Sequence, residues 1–292
     1  SWAFAPGDEI LVTDHGYGSV TTCARYVAER AGATVRTITL PWPTITPATA
    51  LDAVVAAIGP ATRMIVIDHL TSGSALLLPI AAIAQACRAR GVLTLIDGAH
   101  VPGMLPLDIP ALGADFYVGN LHKWAMTPRS SGILWVRREH HAQVQPTVIS
   151  WGHGMDLGAA FDLAGTRDPS AHLAAHAGLA FLQSLGLDAV RAYNHALVWQ
   201  AATRFTERWG TTIPGPESMY GSMVTIPLPA SQDATPEAVQ RLKDALLYED
   251  RIETQLHPFA GRVWLRLAAQ VYNEASDFER LWQAIERRRA SA

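Results

Sequence analysis

Two side chains with complementary chemistry follow neighbouring apolar runs near the middle of the chain. The run 92–96 is followed by the acid Asp97, and the run 115–118 is followed five residues later by Lys123. A lysine amine can form a Schiff base with an aldehyde, and a carboxylate can keep a pyridine nitrogen protonated. An acid at the end of one strand and a lysine just past the next therefore suit an enzyme that holds pyridoxal 5'-phosphate (PLP).

Other groups able to bind a ligand also follow predicted strands. In an open α/β sheet, ligands bind beyond the carboxyl ends of the strands. The candidate groups at such positions are His15, Thr71, Ser72, Asp97, His100, Asn120, His122 and Lys123. Because all of them end strands of one predicted sheet, we expect them to line one crevice.

The first two thirds of the chain alternate between short β-branched runs and helical patterns. Strands are predicted at 10–13, 34–40, 64–68, 92–96, 115–118 and 132–136, and helices at 20–30, 47–58 and 79–90. This alternation predicts an α/β fold with a mainly parallel sheet covered by helices. The Gly-rich segment 151–169 is predicted to be a loop, followed by helices at 171–185 and 187–209.

A Gly- and Pro-rich break at 210–216 predicts a domain boundary. The order of elements changes after it. Strands are predicted at 223–228, near 251–255 and at 263–267, and helices at 236–248 and 275–289. We therefore expect a large domain at 1–209 and a small C-terminal α+β domain at 210–292.

The bulk composition narrows the class of protein. The chain has 292 residues and a net charge of −3, which gives no reason to expect nucleic acid or an anionic membrane as a partner. No apolar stretch reaches the roughly 18 residues of a membrane helix, and the first residues lack a secretory pattern. Cys23 and Cys87 both fall on apolar helical stripes. We expect both to pack in the core of a cytoplasmic protein.

Several motifs carry a resemblance to a known family. The most specific are DGAH at 97–100, GNLHKW at 119–124 and PRSSGILW at 128–135, with further matches in DHGY at 14–17, GTRD at 165–168 and RLAAQVYN at 266–273. Together they resemble the class V aminotransferase family of fold-type I PLP-dependent enzymes, and most of all its isopenicillin N epimerase-like proteins. The resemblance implies an aspartate aminotransferase-like large domain, PLP as cofactor and an amino acid as substrate.

The same resemblance implies a role for each matching residue. Lys123 would hold the cofactor through a Schiff base, and Asp97 would pair with its pyridine nitrogen. The ring of His15 would stack on the cofactor, with Tyr17 as the substitute in that role and a candidate for binding substrate. The remaining assignments are His100 and Ser72 near the phenolic oxygen, Asn120 and His122 at the phosphate, and Arg266 at the substrate α-carboxylate. Thr166 would reach the phosphate of a neighbouring subunit, which implies a homodimer with a shared active site.

Each of these residue types also has an ordinary structural interpretation. An aspartate after a buried strand can cap a helix, a histidine such as His15 can belong to a loop, and an arginine such as Arg266 can form a surface ion pair. His172 and His176 have the spacing of a metal pair, but the sequence offers them no obvious third ligand. We therefore predict no metal site.

The matching residues serve several reactions at the α-carbon of an amino acid. The resemblance favours epimerisation, and a C–S β-lyase or an aminotransferase would use the same residues. The stretch 254–262 contains no cysteine, so a desulfurase that forms a protein persulfide is not expected.

Relatives of this type begin with a longer segment that supplies a phosphate-binding loop at a helix start, and it has no counterpart here. Its loss would expose apolar surface on the first domain, and a truncated, non-catalytic remnant is the remaining alternative.

Overall fold

The computed structural model describes residues 2–230 and 232–290 and divides into two compact units. Unit 1 comprises Ser1–Leu40, Pro47–Leu70 and Leu78–Ser184, and unit 2 comprises Pro41–Thr46, Thr71–Leu77 and Leu185–Ala292. The helix at 187–209 falls in unit 2 by this division. The domain bounds expected from the sequence, 1–209 and 210–292, stay a prediction.

Unit 1 is an α/β sheet of six strands, in the order β2-β1-β3-β4-β5-β6. Strands β1 to β5 run parallel to one another, whereas β6 is antiparallel to β5. The strands are β1 Glu9–Thr13, β2 Thr34–Ile38, β3 Thr62–Asp68, β4 Leu93–Asp97, β5 Phe116–Asn120 and β6 Gly132–Val136. The helices are α1 Gly18–Ala31, α2 Pro47–Ala57, α3 Ile80–Arg88, α4 Ile109–Leu112, α5 Leu157–Asp162, α6 Ser170–Leu173 and α7 Ala175–Ser184. The predicted fold class, a mainly parallel α/β sheet, is confirmed.

Unit 2 contains an antiparallel sheet of three strands, in the order β7-β9-β8. Its elements are α8 Leu187–Trp209, β7 Met223–Pro227, α9 Pro236–Tyr248, β8 Gln255–Phe259, β9 Arg262–Ala268 and α10 Ala275–Ala290. Local signals set several of these bounds. The Thr235 side chain accepts a hydrogen bond from the Ala238 N–H at the start of α9, and Gly210 ends α8 at a φ of 60°.

The β8 strand lies further along the chain than the sequence predicted. A strand was expected near 251–255, whereas β8 begins at Gln255. Arg251 has a φ of 55°, and the Ile252 N–H donates to the Leu246 carbonyl after the end of α9. Most of the stretch in which the strand was expected therefore belongs to the turn after α9.

Two predictions between 151 and 185 were also wrong. The expected loop 151–169 contains the helix α5, which begins after Asp156, whose side chain accepts from the Ala159 N–H. The helix expected at 171–185 is two helices, α6 and α7, with a break at Ala174. A short helix held by one capping residue has too few turns to show a periodic pattern.

The orientation of α1 corrects one core prediction. Ala24 and Ala28 are buried against Ile10 and Val12 of β1, whereas Cys23, which was expected in the core, is exposed. Cys87 is buried, as predicted. The helix thus turns its smaller residues toward the sheet, because small side chains let a helix approach a strand closely.

An apolar groove of about 290 Å³ lies beside α1 in unit 1. Its lining includes Trp2, Phe4, Val20, Cys23, Val27 and Leu95. Apolar side chains therefore line an open groove in this unit. Within the described part of the chain no single helix is long and apolar enough to cross a membrane, although the consecutive segments 170–184 and 187–209 pass that test together as a bent pair.

Candidate functional site

Lys123 lies beyond β5, with its amine beside a histidine. Lys123 Nζ is 3.3 Å from His100 Nε2, and the Trp124 Nε1–H donates to His100 Nδ1 at 3.2 Å. An indole N–H can only donate, so a neutral His100 carries its proton on Nε2, the nitrogen that faces the lysine. In this tautomer the neutral form of the Lys123 amine is the one that can accept a hydrogen bond from Nε2, through its lone pair. The same lone pair is what a nucleophile or a base requires.

Asp97 ends β4 and is 6% exposed. Its Oδ1 accepts a hydrogen bond from the Ala99 N–H at 2.9 Å, which fixes the carboxyl group at the strand end. The next residue must be glycine, because a Cβ at Gly98 would overlap the hydroxyl and ring of Tyr117. Burial, with a smaller contribution from the charge of Asp97, raises the pKa of Tyr117. The Tyr117 hydroxyl lies 3.1 Å from His69 Nδ1, so the DGAH motif packs on a buried polar pair.

Asp68 is a second buried acid, which was not among the predicted site residues. It ends β3, is 5% exposed and pairs in register with Asp97. Burial, followed by the charge of Asp97, raises its pKa to about 8. A signal for this residue existed, since the strand-end rule that selected Asp97 applies equally to the last residue of the predicted strand 64–68.

The turn between β1 and α1 carries two aromatic rings, of which that of Tyr17 is exposed and that of His15 is buried. The Tyr17 ring is 50% exposed, and its centroid lies 6.0 Å from Lys123 Nζ. The His15 side chain is 4% exposed and lies 3.8 Å from an Asp14 carboxylate oxygen. Burial lowers the pKa of His15, although the charge of Asp14 opposes this. Of these two rings, the exposed one that lies beside the lysine is that of Tyr17.

The residues predicted at the cofactor phosphate differ in their surroundings. Asn120 is the last residue of β5, and His122 Nδ1 lies 3.2 Å from the Ser131 carbonyl. His122 Nδ1–H can therefore donate to this carbonyl, which leaves Nε2 for another partner. Thr166 is exposed on the segment between α5 and α6. Of the three residues predicted at the phosphate, Asn120 and His122 are thus half-buried and close to Lys123 in the chain, whereas Thr166 lies on an exposed loop.

Ser72 and Arg266 meet in unit 2. Arg266, on β9, donates from Nη1 to the Ser72 carbonyl at 2.6 Å and lies 3.3 Å from the Ser72 hydroxyl. Arg266 Nε is buried and has no hydrogen-bond partner among the described residues, and burial lowers the pKa of this guanidinium. Arg266 also lines a pocket of about 370 Å³ together with Thr254, Gln255 and Asn273. A buried guanidinium with an unused donor is suited to bind a carboxylate.

Two relatives with curated names align along most of the chain. An isopenicillin N epimerase from Streptomyces clavuligerus is 33% identical over 300 residues, which cover 97% of this chain and 74% of that protein. An L-cysteine desulfhydrase from Arabidopsis thaliana is 29% identical over 249 residues, which cover 78% of this chain and 54% of that protein.

A solved structure has the same fold. The apo structure of a cysteine desulfurase from Thermococcus onnurineus NA1 superposes with a TM-score of 0.81, at 18% identity, over 99% of this chain and 74% of that one. The family model described as aminotransferase class V matches residues 1–242. The chain therefore belongs to the class V aminotransferase family, which confirms the family, the fold, the PLP cofactor and the enzyme class predicted from the sequence.

Proposed function

We propose that this protein catalyses a reaction at the α-carbon of an amino acid, with Lys123 as its catalytic residue. The observation that carries the proposal is the position of the Lys123 amine, 3.3 Å from a His100 nitrogen that is itself held by Trp124. A lysine amine can bond covalently to an aldehyde cofactor and can move a proton. Asp97 and Asp68 are two buried acids in the same unit.

The residues present fit PLP. Two adjacent buried acids, one with a raised pKa, leave negative charge that a cationic pyridine N–H would balance. We assign Asp97 to this nitrogen, Lys123 to the aldehyde carbon, Tyr17 to the ring face, and His122 and Asn120 to the phosphate. His15 stays the alternative for the ring face, although its side chain is 4% exposed. When bound, PLP withdraws electrons from the α-carbon and so stabilises the negative charge left by a departing proton.

In unit 2, Arg266 is assigned to the α-carboxylate of the substrate. Its Nε is the buried donor without a partner among the described residues, and Ser72 fixes Nη1 of the same guanidinium. A carboxylate that accepts from this guanidinium would balance its charge and satisfy the unused donor. The assignment of Ser72 and His100 to the phenolic oxygen of the cofactor rests on the family resemblance.

The reaction we favour is epimerisation, as in the isopenicillin N epimerase that shares 33% identity with this chain. Lys123 would take the α-proton, and a proton returned to the opposite face would invert the carbon. A C–S β-lyase is the second candidate, supported by the 29% identity to an L-cysteine desulfhydrase. In that reaction Lys123 takes the same α-proton and a sulfur substituent leaves from the β-carbon. An aminotransferase would use the same residues.

We further propose that the enzyme is a homodimer in the cytoplasm. Segment 148–181 exposes a series of large apolar side chains, namely Val148, Ile149, Trp151, Met155, Leu163, Leu173 and Phe181, each at least 45% exposed. A concentration of such residues marks a protein interface. Thr166 lies within this segment and is exposed, so a second copy could receive its hydroxyl at the cofactor phosphate. Two free cysteines, Cys23 and Cys87, suit a reducing compartment.

Reduction of the bound cofactor with borohydride tests the role of the lysine. The sequence has two lysines, so Lys243→Ala is a matched control for Lys123→Ala. We expect wild type and the Lys243 variant to bind PLP, turn yellow and retain a label after reduction, which peptide mapping places on Lys123. The Lys123 variant should keep no label and no turnover. A wild-type protein that stays colourless with added PLP would refute the enzyme assignment and favour the non-catalytic remnant.

Incubation with candidate L-amino acids in deuterated water separates the reactions. Deuterium at an inverted α-carbon identifies an epimerase, whereas pyruvate with a released thiol or sulfide identifies a lyase. A keto acid that forms only with a second amino acid and its amine product identifies an aminotransferase. Deuterium incorporation without inversion would contradict the epimerase proposal.

A further inference from the structure

Asp68 and Asp97 are a pair of adjacent acids on one face of the sheet. They are the last register pair of the parallel strands β3 and β4, and they are 5% and 6% exposed. Neighbouring strands lie about 4.8 Å apart, and side chains alternate between the faces along each strand. The two carboxyl groups therefore point to the same face from neighbouring backbones. Two buried carboxyls at this spacing do not both ionise readily.

Asp68 also contacts the turn between β1 and α1. Its carboxyl group accepts a hydrogen bond from the Tyr17 backbone N–H. A Cβ at Gly16, in the same turn, would lie 3.6 Å from Asp68 Oδ2. This turn carries the ring of Tyr17, which lies 6.0 Å from Lys123 Nζ. Asp68 thus connects Asp97 to the aromatic ring beside the lysine.

We propose that Asp68 is a positioning residue of the PLP site: it is the protonated member of the two buried acids, which leaves their negative charge to Asp97 for the pyridine nitrogen, and it anchors the turn that holds Tyr17 beside Lys123. This role rests on the proposed function, because it assigns Asp97 to the cofactor.

The charges around Asp68 support this division between the two acids. Burial and then Asp97 raise the pKa of Asp68 to about 8, while the Tyr17 N–H and Lys123 favour the ionised form. Asp14 and His15 belong to the turn that Asp68 contacts. Asp68 is the member of the pair whose pKa burial raises, so the proton is assigned to Asp68. The protonated carboxyl group has an O–H donor and still accepts from the Tyr17 N–H through its carbonyl oxygen.

The variants Asp68→Asn and Asp68→Ala separate the two parts of this role. A neutral Asn has one acceptor oxygen and an N–H donor, as the protonated acid does, whereas Ala has neither. In cofactor-free protein, we expect the Tyr17 amide to exchange its hydrogen within about threefold of the wild-type rate in Asp68→Asn and at least about tenfold faster in Asp68→Ala. Equal protection in wild type and Asp68→Ala would overturn the anchoring role.

Infrared spectra and cofactor titrations test the proton. Wild type near neutral pH should show the carbonyl stretch of a protonated, buried carboxyl group, and Asp68→Asn should lack it. The Asp68→Asn variant should bind PLP within about threefold of wild type, whereas Asp97→Asn, which removes the charged partner of the pyridine nitrogen, should bind at least about tenfold more weakly. A missing band in wild type, or a loss of affinity in Asp68→Asn equal to that in Asp97→Asn, would overturn the proposal. A wild type that does not bind PLP refutes the proposed function instead, and amide exchange and the infrared band still decide the role of Asp68.

Discussion

The stability of the cofactor-free protein should depend on pH through Asp68. Its pKa rises from 3.8 in the unfolded chain to about 8 in the folded protein, chiefly because the carboxyl is buried. Between these two values the folded state binds a proton that the unfolded state has lost, so stability falls as the pH rises. Each pH unit in this window costs about 1.4 kcal/mol. Raising the pH from about 5 to about 7.5 should therefore lower the free energy of unfolding by about 3 kcal/mol through this one group.

The variant Asp68→Asn isolates this contribution, because Asn has nothing to titrate. Urea unfolding of both proteins across the same pH series gives the difference between their free energies of unfolding. We expect that difference to shift by about 3 kcal/mol in favour of the variant between about pH 5 and about pH 7.5. Asp188→Asn is the control, since the Asp188 side chain is 97% exposed and the same substitution there removes no buried acid. A difference between Asp68→Asn and wild type that stays constant with pH, or that turns in favour of wild type, would refute the reasoning.

Three further predictions follow from the packing, the guanidinium and the exposed apolar segment. Gly98→Ala should destabilise the protein by about 1–3 kcal/mol in urea unfolding, because the added methyl overlaps Tyr117; unchanged stability would contradict this close packing. Arg266→Lys should lower kcat/KM about tenfold or more, because an ammonium cannot offer the planar donor pair; equal steady-state kinetics would exclude the carboxylate role. Combined replacement of Trp151 and Leu173 by glutamate should give a monomer in analytical ultracentrifugation, whereas glutamate at Tyr248, also exposed, should not; a wild-type monomer would refute the dimer.

Much of the fold could be predicted because its signals are local. The helix at 187–209 lies between two glycines, and the helix at 236–248 begins with Thr235-Pro236, so both were predicted with the bounds that the structure shows. The strand β6 also has its predicted bounds. The family motifs belong to the same class of information, since DGAH at 97–100 and GNLHKW at 119–124 are contiguous in the chain.

The prediction of buried residues failed where burial depends on contact with a distant part of the chain. The apolar stripe of α1 correctly indicated a helix, yet the residues buried against Ile10 and Val12 are Ala24 and Ala28, whereas Cys23 is exposed. A periodic pattern gives the faces of a helix, but the face that meets the sheet depends on how closely the backbones approach. The sequence of the helix alone does not show how closely α1 approaches β1.

The candidate site likewise has features that the sequence determines and features that only the tertiary structure decides. The sequence by itself determined the family, the parallel sheet, and the presence of Lys123 and Asp97 at successive strand ends, because residue type and local order suffice for these. Only the tertiary structure decided that Asp68 stands in register with Asp97, that Tyr17 rather than His15 exposes its ring beside the lysine, and that Trp124 fixes the tautomer of His100. These relations arise from strand register, burial and the direction of hydrogen bonds. Such quantities exist only once residues far apart in the chain have been brought together.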